Sequence, residues 1–159
     1  MSIANLLKQY LVGQHVSYDI VEHPRSVTAS ESAHRAHVLA DRMAKAVVVH
    51  YDQGYALAVV PSTARVELGR VQEELGKRLG LASENEIGDV FKDCAMGAVP
   101  PIGAAYGLDV IVDEHLMDEP EVYFEGGDHR ILVHVSGDSF NRLLKDARRA
   151  RIGHQMAAS

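Results

Sequence analysis

The sequence predicts an α+β fold: one domain with a mixed, mostly antiparallel β-sheet and flanking helices. Two observations carry most of this. "KAVVVHY" and "YALAVVP" are β-rich runs joined by Asp52-Gln53-Gly54, and "EVYFEG" and "RILVHVS" are a second such pair around Gly126-Gly127, so the chain holds two hairpins. Helical stretches lie between the strands without the regular strand–helix alternation of a parallel βαβ sheet. The 159 residues suit a single domain with a sizeable core, and 47% hydrophobic and 24% charged residues are ordinary globular values. No repeat, low-complexity tract or Pro/Ser-rich linker divides residues 1–159.

The elements follow in order. Leu6, Leu7, Tyr10 and Leu11 share a helical face, with Gly13 as the stop. "VSYDIVEH" alternates like a strand. Thr28 and Glu31 have capping-box spacing and open a helix reaching roughly Val38. After the first hairpin, "VELGRVQEELGKRLG" reads as a helix. Ser83 and Glu86 repeat the capping-box spacing and open a short helix toward Phe91. "LDVIVD" is a strand, and the second hairpin follows. A last helix is predicted to start between Ser136 and Ser139 and to run through "RLLKDARRAR", with a frayed tail after it.

Bulk properties narrow the function. No apolar run approaches the ~18 residues of a membrane helix, and the N-terminus lacks the charged start and continuous apolar core of a signal peptide. Cys94 is the only cysteine, which excludes an intrachain disulfide and points to the cytoplasm. A net charge of -6 argues against a general nucleic-acid binder. The charge is uneven: residues 109–128 carry eight acids and no Lys or Arg, whereas residues 142–151 carry five bases and one acid. That basic stretch reads either as a solvated helix face or as a patch for a phosphate backbone.

The usual chemistries leave little. His34 and His37 lie three apart on a predicted helix, but no HExxH or cysteine pair accompanies them, so a metal is not expected. Cys94 reads as a small buried residue rather than a nucleophile. "GKRLG" lacks the glycine spacing of a P-loop, and "GAVPPIG" is no dinucleotide fingerprint because prolines stand where N–H groups would be needed. What remains is "KDCAMGAVPPIGAAYG", residues 92–107, which is uncharged after Asp93 and punctuated by Gly and Pro. Glycine lets a backbone approach a ligand, proline fixes the loop's shape, and oriented N–H groups can hold a carbonyl oxygen or a developing oxyanion. The same residues would also make a rigid turn packed over the sheet. Lys45, opening a strand that must be buried, either snorkels to solvent or meets an anion in a cavity. His129 sits at the "GGDH" turn.

Taken in order, "AKAVVVHYDQGYALAVVPSTARVELGRVQEELG", "LASENEIGDVF", "GAVPPIG" and "GGDHRILVHVS" resemble the YbaK and prolyl-tRNA-synthetase-associated editing domains over roughly residues 15–145. The resemblance implies a sheet curled into a barrel-like core with flanking helices, and the charge pattern adds a basic C-terminal helix and tail over 142–159. The resemblance also implies a trans-editing aminoacyl-tRNA deacylase, a hydrolase that cleaves the ester of a mischarged tRNA carrying a small amino acid such as Ala, Ser or Cys. A non-catalytic tRNA- or synthetase-binding module of the same fold is the alternative. The implied partners are mischarged aminoacyl-tRNA and an aminoacyl-tRNA synthetase, with no membrane, cofactor or metal. Carried over residue by residue, the family's strand lysine is Lys45, and its G-x-x-x-P loop is Gly97, Ala98, Val99, Pro100 and Pro101. Substrate contacts fall to Ala46, His129, Thr28 and Gly103, and tRNA contacts to Arg142, Lys145, Arg148, Arg149 and Arg151. Many members have Thr or Asn where this chain has Ala46.

Overall fold

The computed structural model describes residues 3–26, 28–52 and 54–155. Helix α1 (Asn5–Gly13) buries Leu7 and Leu11, one helical turn apart, and partly buries Tyr10. Leu6 was expected on that face but stands 44% exposed, because it lies about 100° around the helix from Leu7. Strand β1 (Asp19–Glu22) is shorter than the alternation suggested. Helix α2 (Ala29–Arg35) starts as its spacing predicts, with the Thr28 hydroxyl accepting from the Glu31 N–H at 3.1 Å, and ends three residues before Val38.

The first hairpin is present: β2 (Met43–Tyr51) and β3 (Gly54–Pro61) pair from Ala44↔Pro61 to Tyr51↔Gly54, with Gln53 of the turn outside the described residues. The stretch read as one helix from Val66 divides into β4 (Ala64–Val66) and α3 (Leu68–Leu75). Gly76 ends α3 in the left-handed conformation, φ +63°, and its N–H returns to the Gln72 carbonyl. A two-residue strand, β5 (Gly80–Leu81), precedes α4 (Glu84–Val90), whose Ser83–Glu86 capping box is complete. Strand β6 (Asp109–Asp113), the short helix α5 (Glu114–Met117) and the second hairpin, β7 (Glu121–Glu125) with β8 (Ile131–Ser136), follow.

The C-terminal expectation is corrected. Helix α6 starts at its Ser136 cap but covers only Gly137–Leu143. The arginines then enter strand β9 (Arg148–Ala150), which pairs in parallel with β6, and β10 (Gly153–Gln155), which pairs with β4. Ala150 and Ile152 are both buried, at the two-residue spacing of a strand, and this weak apolar signal outweighs the helical propensity of the arginines around it. The tail is therefore built into the fold through Gln155, and residues 156–159 lie outside the described part.

The main sheet runs β1-β8-β7-β2-β3-β6-β9, with β5 also beside β2. Pairs β2–β7, β3–β6 and β6–β9 are parallel and the others antiparallel. Its end strands β1 and β9 do not pair, so the sheet stays open where a barrel would close. One face packs under α1, α6 and the loop around Val99 and Ile102, in a core centred on Leu57, Phe124 and Phe140. The other face is covered by α3 and the β4–β10 ribbon, and by α2 through Ala33 against Met43 and Leu132.

Candidate active-site cleft

The uncharged loop is explained first by where it lies. Ala98, Val99, Pro100 and Pro101 are buried, so a charge there would be desolvated. The segment is tied down from several directions. The Ala95 N–H donates to the Gly127 carbonyl at 2.7 Å, and His129 Nε2 donates to the Met96 carbonyl. Just upstream, the Asp93 carboxylate accepts from the Leu6 N–H at 3.0 Å and the Tyr106 hydroxyl at 2.9 Å. Gly97 has φ +82°, a conformation that side chains with a Cβ rarely take.

Few N–H groups of the loop are free to bind anything. Pro100 and Pro101 have no N–H, and the Ala98 N–H turns back to the Ala95 carbonyl at 3.1 Å. Among the described residues, the N–H groups of Gly97 and Val99 have no partner. Both residues line a cleft of about 330 Å³ together with Ala46, Val48, Ile87 and Met96. The cleft opens where β2 lacks a neighbour. On its outer side β2 pairs with β7 at Met43 and Ala44 and with β5 at Val49 and His50, and no strand pairs it between them.

Strand alternation separates the two β2 residues singled out from the sequence. Ala46 lies with Ala44 and Val48 on the face that carries Val99 and Ile102. Lys45 lies on the opposite face, toward Val47 and the β4 side, and is not among the residues lining the cleft. It is half-buried and has no acidic partner among the described residues. Burial lowers its pKa, and the Arg65 charge lowers it further.

His129 is only 6% exposed, with one ring nitrogen on the loop and Nδ1 unpartnered, so in this structure it is a clamp on the residue before Gly97. Thr28 spends its hydroxyl on the α2 cap. Gly103 is a packing glycine: a Cβ there would clash with Val110 Cγ2 and the Leu108 carbonyl, and it lines a separate cavity of about 60 Å³. Arg142 donates to the Gln14 and His15 carbonyls at the end of α1, Arg148 pairs with Glu74 at 3.0 Å and Arg151 with Glu114 at 3.4 Å. Arg149 and Lys145 are exposed, and no side-chain partner of theirs is among the described residues. His34 sits on α2, while His37 lies past its end at φ +59°. Cys94 is half-buried against Tyr106 and Asp93, and burial pushes its thiol up to about 12, which keeps it protonated and unreactive at neutral pH.

One polar cluster had no signal in the sequence. Glu125, 3% exposed, accepts from the Ser32 hydroxyl at 2.7 Å, and Ser32 shares a 2.5 Å contact with Ser26. Burial pushes the Glu125 carboxyl up to about 7, while the Ser32 bond works against the shift and Asp128 adds to it. The folded state thus holds this proton more tightly than the unfolded chain. Its stabilising contribution is full below the ordinary glutamate range and is lost as pH rises to about 7. Between pH 5 and 8 the wild type is expected to lose about 2–3 kcal/mol more stability than Glu125→Gln. Urea unfolding of both proteins at the two pH values checks this, and parallel losses would refute it.

The fold and this cleft define a class: a one-domain α+β protein whose cleft is lined by Gly97 and Val99, with N–H groups unpartnered among the described residues. Three solved structures share the architecture. A candidate trans-editing enzyme for prolyl tRNA synthetase is 27% identical, with a TM-score of 0.80 over 95% of this chain and 96% of its own. A scaffold protein used for computational grafting of linear epitopes is 26% identical, with a TM-score of 0.81 over 95% and 97%. A hypothetical protein at 21% identity shares the fold, with a TM-score of 0.83 over 94% and 100%. No curated protein matches the chain. The aminoacyl-tRNA editing domain model matches residues 23–143, and the chain belongs to that family.

Proposed function

We propose that the chain is a trans-editing deacylase that hydrolyses the ester between a small amino acid and the terminal ribose of a mischarged tRNA. The observation that carries this reading is the pair of unpartnered N–H groups, Gly97 and Val99, in a small, largely apolar cleft. Water attacks the ester carbonyl, and the two amides hold the oxyanion of the tetrahedral intermediate. The carbon–oxygen bond to the ribose then breaks, the ribose oxygen takes a proton, and the free amino acid and the tRNA hydroxyl leave. A substrate hydroxyl positions the water, which suits a site with no nucleophile–base pair. Lys45 takes a phosphate or ribose oxygen of the tRNA end across the open edge of β2, and His129 acts by holding Met96. The apolar side chains of Ala46, Val48, Ile87 and Val99 suit an uncharged side chain such as that of alanine, serine or cysteine. Lys145 and Arg149 are the residues of the basic stretch free to meet the acceptor stem, and a synthetase that releases proline-specific tRNA is a fitting partner.

The test is a deacylation panel: tRNA charged with Ala, Ser, Cys, Thr or Pro, on proline-specific and cognate tRNAs, with Lys45→Ala alongside. Release of one or two small amino acids, lost in the variant, is expected. No release by folded protein, with tRNA binding retained, would instead favour a non-catalytic binding module.

A further inference from the structure

The open edge of β2 offers a hydrogen-bonding pattern that the reaction above does not use. Along β2 alternate residues turn their peptide groups toward β3 or away from it. The Met43 carbonyl accepts from the Ser62 N–H on the β3 side, at 2.7 Å, and the Val48 carbonyl accepts from the Ala82 N–H on the outer side, at 3.0 Å. Ala46 shares the parity of Val48, so its N–H and C=O both point outward. This falls in the interval where β7 has left β2 and β5 has not yet joined it. Among the described residues neither group has a partner, and Ala46 lines the cleft with Gly97 and Val99. A donor and an acceptor on one strand residue, facing one way, form half of an antiparallel β-bridge.

We propose that the aminoacyl group docks as a one-residue strand against Ala46: its α-ammonium donates to the Ala46 carbonyl, and its ester carbonyl accepts from the Ala46 N–H. An aminoacyl ester carries the same donor and acceptor on one α-carbon as a strand residue does, and it is the complement this edge lacks. The bridge rests on the editing reading for the identity of its occupant and adds three consequences. It supplies a third donor to the ester oxygen beside Gly97 and Val99. It sets chirality, because a strand residue's side chain has one allowed direction, here into the apolar cleft. It also removes the need for a polar side chain at position 46, since recognition runs through the peptide.

The test uses one RNA carrying L-alanyl, D-alanyl or L-lactyl esters, the last replacing the ammonium by a hydroxyl. It adds a non-hydrolysable L-alanyl amide of 3′-aminoadenosine and a protein with Ala46→L-lactate, a backbone ester that replaces the outward N–H by oxygen and weakens the Lys45 carbonyl on the β3 side. The D-alanyl and L-lactyl esters are expected to react about 10²-fold or more slowly than L-alanyl. The backbone ester is expected to slow L-alanyl release at least tenfold while the protein stays folded at the assay temperature, and the amide analogue to shift the Ala46 amide resonance. Equal rates for the three esters, full activity of the backbone ester, or an analogue that leaves the Ala46 resonance unmoved would each overturn the bridge. A wild type that hydrolyses none of the esters refutes the deacylase reading instead, and the resonance shift still decides the bridge.

Discussion

Gly97→Ala is expected to cut deacylation by about 10²–10³-fold, the usual loss when one oxyanion donor is removed, while leaving the fold intact. At φ +82° a Cβ is strained by roughly 1–2 kcal/mol. The loop is held on both sides of this residue, by His129 on Met96 and by burial of Ala98 to Pro101. Alanine therefore relieves its strain by turning the adjoining peptides, and those peptides carry the N–H groups of Gly97 and Val99. The rate constant should fall steeply while the unfolding temperature drops by only a few degrees, because Gly97 itself is exposed and packs into no core. Single-turnover deacylation with saturating enzyme, beside a thermal melt, gives both numbers. A variant with wild-type rate would remove the loop amides from the mechanism.

Asp113→Ala is expected to cost about 2–4 kcal/mol, a large share of the ~5–15 kcal/mol that holds a domain together. The carboxylate is 1% exposed and serves four donors. One oxygen accepts from the Ile152 and Gly153 N–H groups at 3.1 and 2.7 Å, and the other from the His115 N–H and ring at 3.0 and 2.8 Å. Alanine leaves the Ile152 N–H buried without an acceptor, beside a void. The damage should centre on β10, which the carboxylate ties to the end of β6. Urea unfolding measures the cost, and hydrogen exchange should show Gly153–Gln155 opening first. A loss under 1 kcal/mol would mean that water takes over these donors.

Features set by neighbouring residues can be read in the sequence itself. The Thr28 and Ser83 caps and both hairpins are local, because each needs only residues a few positions apart. The Gly97 loop was found from its composition. What could not be read depends on distant partners. The basic stretch looks helical alone, and it becomes a strand because β6 has a free edge to pair with and Ile152 a core to enter. Glu125 is an ordinary acid in sequence until Ser32, 93 positions away, is packed against it. Likewise, the division of Ala46 and Lys45 between opposite faces is fixed by register, and the identity of the free amides required knowing where the Ala98 N–H goes.

The ties on the Gly97 loop also set an order of assembly. Leu6 reaches Asp93 across 87 positions and His129 reaches Met96 across 33, whereas the hairpins close through neighbours in the chain. Long closures cost entropy that only an already folded framework can offset. The pocket is therefore expected to be the last region to become native, and a newly made chain should show strand pairing before its cleft can hold any ligand.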